Sequence, residues 1–233
     1  MYLGFKKRVK RIFYLLLMIL PWLSGCGGET IENLQLDRYE AEIVDFEREN
    51  QYEGSPKGAI VFIGDTHIKN WKNIYSDFQG MPVKNRGFGN ATLREVNHYF
   101  RRLTDPFQPE VLVLHAGASD IAMGASPQEA FEAFQGFLQQ IAISRRASRT
   151  IFLSLVPTEA QWDLWPEFQQ TNQMIRELAQ DNPMLEFLDL TREMVDADGQ
   201  PIHQLYEKDG QNINSTGYAR WSGALLPVLE KMF

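Results

Sequence analysis

Short apolar runs alternate with amphipathic stretches along most of the chain, and the two patterns predict two kinds of element. Runs rich in β-branched residues occupy 59–63, 111–114 and 151–155, and weaker apolar runs lie at 81–84 and 185–188. These runs have the length of strands and are apolar at consecutive positions. Strands that are apolar on both faces are typical of a parallel sheet covered by helices, so we expect five parallel strands.

Between these runs, apolar residues recur at the spacing of one helix face. The pattern predicts an N-terminal helix over 30–53 and further helices near 165–178 and 215–231. Ser126 and Glu129 have capping-box spacing with a proline between them, which predicts the start of another helix. The alternation predicts an α/β fold: a three-layer, doubly wound, flavodoxin-like domain with a five-stranded parallel sheet and helices on both faces.

The first 25 residues have the pattern of a targeting signal. Five basic residues at 6–11 precede an uncharged, mostly apolar run at 12–23. This run is shorter than the roughly 20 apolar residues that a helix needs to span a bilayer. A basic head followed by a short apolar run is typical of a secretory signal peptide.

The signal ends in Leu-Ser-Gly-Cys, and Cys26 is the single cysteine of the chain. This ending resembles the bacterial lipoprotein signal, which implies cleavage before Cys26 and lipidation of that residue. A plain signal peptide and a buried amphipathic segment with an unrelated cysteine are the alternatives left open. Glycines follow Cys26, which resembles lipoproteins sorted to the outer membrane. The expected location is the cell envelope, at the outer membrane if the cell has one.

Charge narrows the choice of partners. The chain of 233 residues has a formal net charge of −7, and residues 1–25 carry five basic and no acidic side chains. Cleavage would therefore leave 208 residues with a charge of −12. Such a surface repels nucleic acids and anionic lipid headgroups, so we expect no nucleic-acid partner and attachment to the membrane through lipidated Cys26.

Four polar loops stand where a doubly wound sheet places its ligand site, which is at the carboxyl ends of the strands. The loops read Gly-Asp-Thr-His at 64–67, Asn-Arg-Gly-Phe-Gly-Asn at 85–90, Ala-Gly-Ala-Ser-Asp at 116–120 and Asp-Gly-Gln-Asn at 209–212. Because these loops would meet at one edge of the sheet, the chemistry of the protein is expected there.

In this order and spacing, the four loops resemble those of the SGNH (GDSL) hydrolases. The resemblance runs from about Tyr39 to the C-terminus, and the Pro-Val-x-Asn-Arg-Gly-Phe-Gly stretch at 82–89 is similar to bacterial relatives of platelet-activating-factor acetylhydrolase. It implies a hydrolase-like domain over 59–233. The predicted lipoprotein signal peptide at 1–25 and a tether with the N-terminal helix at 26–58 precede that domain.

The resemblance also implies five functional positions, of which three carry a different residue. Thr66 stands where the family has its nucleophilic serine, Ser119 where it has an asparagine oxyanion donor, and Asn212 where it has the catalytic histidine. Gly89 matches the glycine whose amide binds the oxyanion, and Asp209 matches the aspartate that orients the histidine.

These three changes differ in their chemical severity. The methyl group of Thr66 crowds a tetrahedral intermediate, although threonine nucleophiles exist where a base is nearby. Ser119 lacks the amide donor, which contributes ~10²–10³ in rate, and its hydroxyl replaces that donor only in part. Asn212 is the severe change because a carboxamide accepts no proton from a hydroxyl. Loss of the triad histidine costs on the order of 10⁶ in turnover.

Four histidines are candidates for a substitute base. His67 is the nearest in sequence to Thr66, although adjacent side chains usually diverge. His115 ends an apolar strand, where a hydrogen-bonded core residue is expected, and His98 is expected to be solvated or to pack on a helix. His203 lies in a polar loop before Asp209 and would have to move toward the site.

Other residues are candidates for ligand binding. Asp65 and His67 flank Thr66, and an aromatic loop containing Trp162 and Trp165 could stack on an acyl or sugar group or simply pack over the sheet. Asp65 and Asp120 are expected to brace loops as hydrogen-bond acceptors. We see no metal-ligand spacing of histidines and acidic residues and no phosphate-loop motif, so no metal and no cofactor is expected.

Three functions are consistent with these residues. The favoured one is a lipid-anchored envelope protein of the hydrolase family that is impaired or inactive as an ester hydrolase and keeps a pocket for an acyl-ester or carbohydrate ligand. The second is an active esterase or acylesterase with Thr66 as nucleophile and a non-standard base. The third is a structural lipoprotein without a ligand.

Overall fold

The sheet is the centre of the molecule in the computed structural model, which describes residues 36–144 and 148–232. Its strands are β1 (Ile60–Gly64), β2 (Val83–Gly87), β3 (Val111–His115), β4 (Arg149–Leu153) and β5 (Leu185–Leu188). All neighbouring strands pair in parallel, in the order β2-β1-β3-β4-β5. The predicted five-stranded parallel sheet is therefore confirmed.

The strand β2 departs most from its predicted position of 81–84. It lies at the edge of the sheet and runs on through Lys84, Asn85 and Arg86 to Gly87. An edge strand is not enclosed on every side, so polar residues are tolerated there and apolar patterning identifies only its beginning.

Helices connect the strands and cover the sheet. The helices are α1 (Glu40–Glu53), α2 (Thr66–Lys69), α3 (Ile74–Asp77), α4 (Leu93–Thr104), α5 (Ala118–Ala122), α6 (Pro127–Ile143), α7 (Trp165–Gln180), α8 (Thr191–Met194) and α9 (Ser215–Glu230). Short 3₁₀ turns lie at Asp37–Tyr39, Trp162–Leu164 and His203–Leu205. The predicted capping box opens α6: Ser126 Oγ accepts from the Glu129 amide at 3.3 Å, and the Glu129 carboxylate accepts from the Ser126 amide at 2.7 Å.

Alternate residues of each strand point into two different cores. Val61 and Ile63 of β1 pack with α1, α4, α6 and α7 on one face of the sheet. Ile60 and Phe62 pack with α2, α3, α8 and α9 on the other. The domain thus has three layers, as predicted, and the consecutive apolar residues of its strands are explained because both faces are covered.

Of the predictions for the N-terminal part of the chain, the structure describes only those from residue 36 onward. The predicted signal peptide, Cys26 and the tether lie outside the described residues. The N-terminal helix begins at Glu40 after a 3₁₀ turn, and Ile43 on it is fully buried in the core of the sheet. Among residues 36–144 and 148–232, no helix is both long and apolar enough to cross a membrane.

Candidate active site

The predicted site residues meet at the carboxyl edge of the sheet. Thr66 begins α2 directly after β1, Ser119 lies in α5 after β3, and Asn212 lies in the loop before α9. All three line a cleft of about 20 Å³, together with Asp65, His67, Asn90, Ala118, Gln161 and Gln211. A space of this size accommodates about one water molecule.

The hydroxyl group of Thr66 is engaged by the loop after β2. It donates to the backbone carbonyl of Gly89 at 2.7 Å and also contacts the side-chain amide of Asn90. Among the residues that the structure describes, no imidazole nitrogen is hydrogen-bonded to this hydroxyl. A carbonyl accepts the hydrogen bond but does not take the proton, so Thr66 is held without being activated.

Asn212, which the resemblance assigns to the position of the catalytic base, is held from two sides. Its Nδ2 donates to Asp209 Oδ2 at 2.6 Å, and its Oδ1 accepts from Asn70 at 3.2 Å. The side chain of Asn212 and the backbone amides of Gln211 and Asn212 donate to Asp209 and hold the pKa of that carboxyl below its usual value. Asp209 therefore orients Asn212 as an aspartate would orient an imidazole, but the oriented group is not a base.

The amide of Gly89, which the resemblance assigns to the oxyanion, already has a partner. Its N–H donates to Glu42 Oε2 at 3.3 Å, and the same carboxylate lies 2.8 Å from Lys69 Nζ. A negative charge at this point opposes a developing oxyanion and occupies its donor. Sequence reasoning missed Glu42 because nothing in α1 distinguishes it from the other acidic residues of that helix.

The loop around Gly89 also packs tightly against the 3₁₀ turn before α1. Gly89 has a φ of +38°, and a Cβ added to it would lie 1.9 Å from Tyr39 Cε1. The hydroxyl of Tyr39 accepts from the Asn90 amide at 3.0 Å. Glycine is therefore required here both by the backbone conformation and by the approach of the tyrosine ring.

His67, the nearest candidate for a substitute base, has both ring nitrogens near other groups. Its Nε2 lies 3.2 Å from the carbonyl of Gln211, and its Nδ1 lies 3.9 Å from Asp65 Oδ1. Burial lowers the pKa of His67, although the carboxylate of Asp65 opposes this shift. The ring lines the cleft, and among the described residues neither of its nitrogens is hydrogen-bonded to the Thr66 hydroxyl.

The other three histidines do not line the cleft. His115 is buried, as expected, and its Nδ1 lies 3.1 Å from Asp65 Oδ1. His98 pairs with Asp37 at 3.0 Å, and His203 pairs with Glu159 at 2.9 Å. Among the described residues, none of the four imidazoles is therefore hydrogen-bonded to the Thr66 hydroxyl.

Asp65 and Asp120 brace loops, as the sequence suggested. Asp65 accepts from the backbone amide of His67 at 3.0 Å, and Asp120 accepts from the amide of Leu93 at 2.9 Å. Burial would raise the pKa of the Asp65 carboxyl, but His115 and His67 hold it below its ordinary value. Burial raises the pKa of Asp120 to about 7, against the lowering effect of the Leu93 amide.

The two tryptophans of the aromatic loop do not line the cleft, although Gln161, directly before Trp162, does. Trp165 is 9% exposed and belongs to the core of the sheet, and Trp162 is partly buried against the same core. Neither residue lines the cleft around Thr66, so their role in ligand binding stays a prediction.

A three-layer parallel sheet in the order β2-β1-β3-β4-β5, with polar loops at its carboxyl ends, defines the class of the protein as a doubly wound α/β domain. Residues 53–220 match the model of the GDSL-like lipase/acylhydrolase family, and the chain belongs to that family. The resemblance predicted from the loops is thereby confirmed. No curated protein gives a significant match to the chain.

Solved structures share the fold at low sequence identity. A candidate platelet activating factor of Streptococcus pneumonia superposes with a TM-score of 0.74 at 22% identity, over 85% of this chain and 95% of that one. A candidate acylhydrolase of Bacteroides fragilis superposes with a TM-score of 0.69 at 22% sequence identity, over 85% of this chain and 96% of that one. A GDSL-like lipase of Bacteroides thetaiotaomicron superposes with a TM-score of 0.68 at 20% sequence identity, over 85% of this chain and 98% of that one. These matches establish the shared fold.

Proposed function

We propose that this protein is a lipid-anchored cell-envelope member of the GDSL-like family that is catalytically impaired as an ester hydrolase. The observation that carries the proposal is the state of Asn212. Asn212, at the position that the resemblance assigns to the base, is hydrogen-bonded to Asp209 and Asn70 and has no titrating nitrogen. Thr66 consequently has a hydrogen-bond acceptor in the Gly89 carbonyl but no base that would take its proton.

Each step of ester cleavage lacks a component at this site. Attack by Thr66 requires removal of its proton, and expulsion of the alcohol requires its return. Loss of the histidine alone, at ~10⁶ in rate, corresponds to about 8 kcal/mol of barrier. The oxyanion loses further stabilisation because Glu42 holds the Gly89 amide and Ser119 replaces an amide donor. The combined loss is large enough to abolish useful turnover.

The ligand expected from the sequence is an acyl ester or a carbohydrate. The cleft at Thr66 accommodates about one water molecule, so only a small polar group of such a ligand fits beside the hydroxyl. The rest of the ligand would lie across the mouth of the cleft. This part of the proposal is independent of catalysis.

The test is the purified full chain in detergent, with an activated aryl acetate as substrate and a fluorophosphonate as active-site label. We expect no turnover above that of a Thr66→Ala variant and no labelling of wild type. Saturable turnover that Thr66→Ala abolishes would contradict the proposal. That outcome favours the alternative, an active esterase with Thr66 as nucleophile, and His67 is then the first base to examine because it lines the same cleft.

The lipid anchor is tested separately from catalysis. A Cys26→Ala variant is expressed beside wild type, and both are followed in membrane and soluble fractions and by incorporation of labelled fatty acid. We expect lipid incorporation and membrane attachment in wild type and the loss of both in the variant. Unchanged attachment of the variant would overturn the lipidation of Cys26.

A further inference from the structure

A buried cluster of three potential metal ligands lies below the cleft. Asp65, His67 and His115 are 4%, 7% and 1% exposed, and one ligand atom from each lies within 4.8 Å of the other two. Asp65 Oδ1 is 3.1 Å from His115 Nδ1 and 3.9 Å from His67 Nδ1. No metal-ligand spacing is visible in the sequence, since His115 is 50 residues from Asp65 and joins it only through the sheet.

The hydrogen bond of His67 fixes which of its nitrogens is free. A backbone carbonyl only accepts, so Nε2 carries the proton that it donates to Gln211. The lone pair of the neutral ring is then on Nδ1, which is buried and has no hydrogen-bond partner. This lone pair and the negatively charged Asp65 Oδ1 are both electron donors, and they lie 3.9 Å apart with no proton between them. Asp65 Oδ1 already accepts from the His67 amide and from His115 Nδ1, so the atom that a cation would supply with a partner is His67 Nδ1.

Two more buried nitrogen atoms beside His67 lack a hydrogen-bond partner. His115 Nε2 and Trp221 Nε1 are also buried without a hydrogen-bond partner. The ring of Trp221 lies 5.1 Å from that of His115 and 6.0 Å from that of His67. Three of the unpartnered buried atoms among the described residues therefore belong to neighbouring rings, which singles out this cluster from the rest of the core.

We propose that Asp65, His67 and His115 bind one divalent transition-metal ion of the zinc type. Two imidazoles and a carboxylate are ligands typical of Zn²⁺, whereas Mg²⁺ and Ca²⁺ prefer oxygen ligands alone. Tetrahedral Zn²⁺ separates such ligand atoms by about 3.3 Å. The Asp65–His115 separation of 3.1 Å is close to this value, and His67 Nδ1, at 3.9 Å from Asp65 Oδ1, would have to move closer on binding. On binding, the metal replaces the proton between His115 Nδ1 and Asp65, and that ring proton moves to Nε2.

Hydrogen bonds hold the backbone around the three ligands, and the cleft gives access to the site. The amide of Asp65 donates to the carbonyl of His115 at 3.1 Å, and Tyr218 Oη donates to the carbonyl of His67 at 2.8 Å. The hydrogen bond from His67 to Gln211 is the outer-shell contact that orients a metal-binding histidine. Asp65 and His67 also line the cleft, so an ion and a water ligand can enter from there.

The experiment uses the full chain in detergent, stripped of metal with a chelator and titrated with Zn²⁺ by calorimetry and with Co²⁺ by visible absorption. We expect one ion per chain and the intense cobalt bands of a four-coordinate site. His67→Gln and His115→Gln should each weaken binding by more than about 100-fold, since loss of an outer-shell partner alone costs 10–100-fold. His98→Gln and His203→Gln are matched controls, because each of these histidines also pairs with one carboxylate, and they should leave binding unchanged.

Two results would overturn the site. One is the absence of stoichiometric binding by wild type, which means that a proton on His67 or a buried water satisfies the cluster. The other is equal affinity in wild type and in the His67→Gln variant. If His115→Gln does not fold, the cobalt spectrum of wild type decides, because weak octahedral bands would contradict the proposed ligands. None of these measurements uses ester turnover, so the result is distinguishable from the failure of the proposed function.

Discussion

Restoring the three altered side chains should convert the site into an esterase. The variant carries Thr66→Ser, Ser119→Asn and Asn212→His. The 2.6 Å contact between Asn212 Nδ2 and Asp209 Oδ2 shows that a donor at position 212 already faces the orienting carboxylate. An imidazole there can keep this hydrogen bond and present its other nitrogen toward the cleft, which position 212 and Thr66 both line.

The expected gain follows from the groups restored and those still occupied. A base contributes on the order of 10⁶ and one oxyanion donor ~10²–10³. These factors multiply to an upper limit of ~10⁸–10⁹. We expect a gain of at least ~10³ in kcat for an activated aryl acetate, below that product because Glu42 still holds the Gly89 amide. Adding Glu42→Gln removes the negative charge and should raise kcat by a further ~10-fold.

Steady-state hydrolysis is measured for the triple variant and for a control in which Thr66→Ala accompanies the other two changes. The gain should vanish in this control, and a fluorophosphonate should label only the triple variant. Circular dichroism and thermal unfolding establish that both proteins are folded. A folded triple variant without activity would refute the assignment of these loops to the family positions.

Two further predictions concern stability. Gly89→Ala should lower the free energy of unfolding by about 2 kcal/mol or more, against about 1 kcal/mol for Gly124→Ala. Both glycines have positive φ, but only the new methyl at Gly89 would clash with a tyrosine ring; equal losses in urea denaturation would argue against that clash. The raised pKa of Asp120, about 7 against an ordinary 3.8, means that the native state binds its proton more tightly than the unfolded state. As the pH rises from about 4 to about 7, the free energy of unfolding of wild type should therefore fall by up to about 4 kcal/mol relative to that of Asp120→Asn. Parallel pH profiles of the two proteins would contradict this.

The fold could be predicted from the sequence because its strands are short and enclosed on both faces. Consecutive apolar residues in β1, β3 and β4 have one explanation, a parallel sheet between two layers of helices. The predicted bounds of the edge strand β2 are less accurate, since its polar residues lack the apolar pattern that identifies the other strands. The site loops were found because parallel strands bring their carboxyl ends together, whatever their separation along the chain.

The parts of the site that the sequence did not reveal depend on contacts between distant elements. Glu42 reaches Gly89 from a helix 47 residues earlier, and an acidic residue on an acidic helix carries no sign of such a role. Asp65 and His67 stood close together in sequence, but His115 belongs to a strand that is otherwise apolar. The parallel register that places Gly64 opposite His115 brings them together, and only the knowledge that both strands end at one edge could have suggested it.

At the carboxyl edge of the sheet, the groups that would cleave an ester differ in their hydrogen bonding from the imidazoles beneath them. Groups that would serve ester cleavage already have protein partners: Thr66 donates to Gly89, the Gly89 amide donates to Glu42, and Asn212 lies between Asp209 and Asn70. A substrate would have to displace these partners before any bond was made, and satisfied polar groups stabilise a site rather than activate it. Directly below, two imidazoles retain buried nitrogen atoms without partners. Unpartnered buried polar groups are costly, and the lone pair of His67 Nδ1 is the one that the proposed cation would satisfy, whereas an ester offers it no partner.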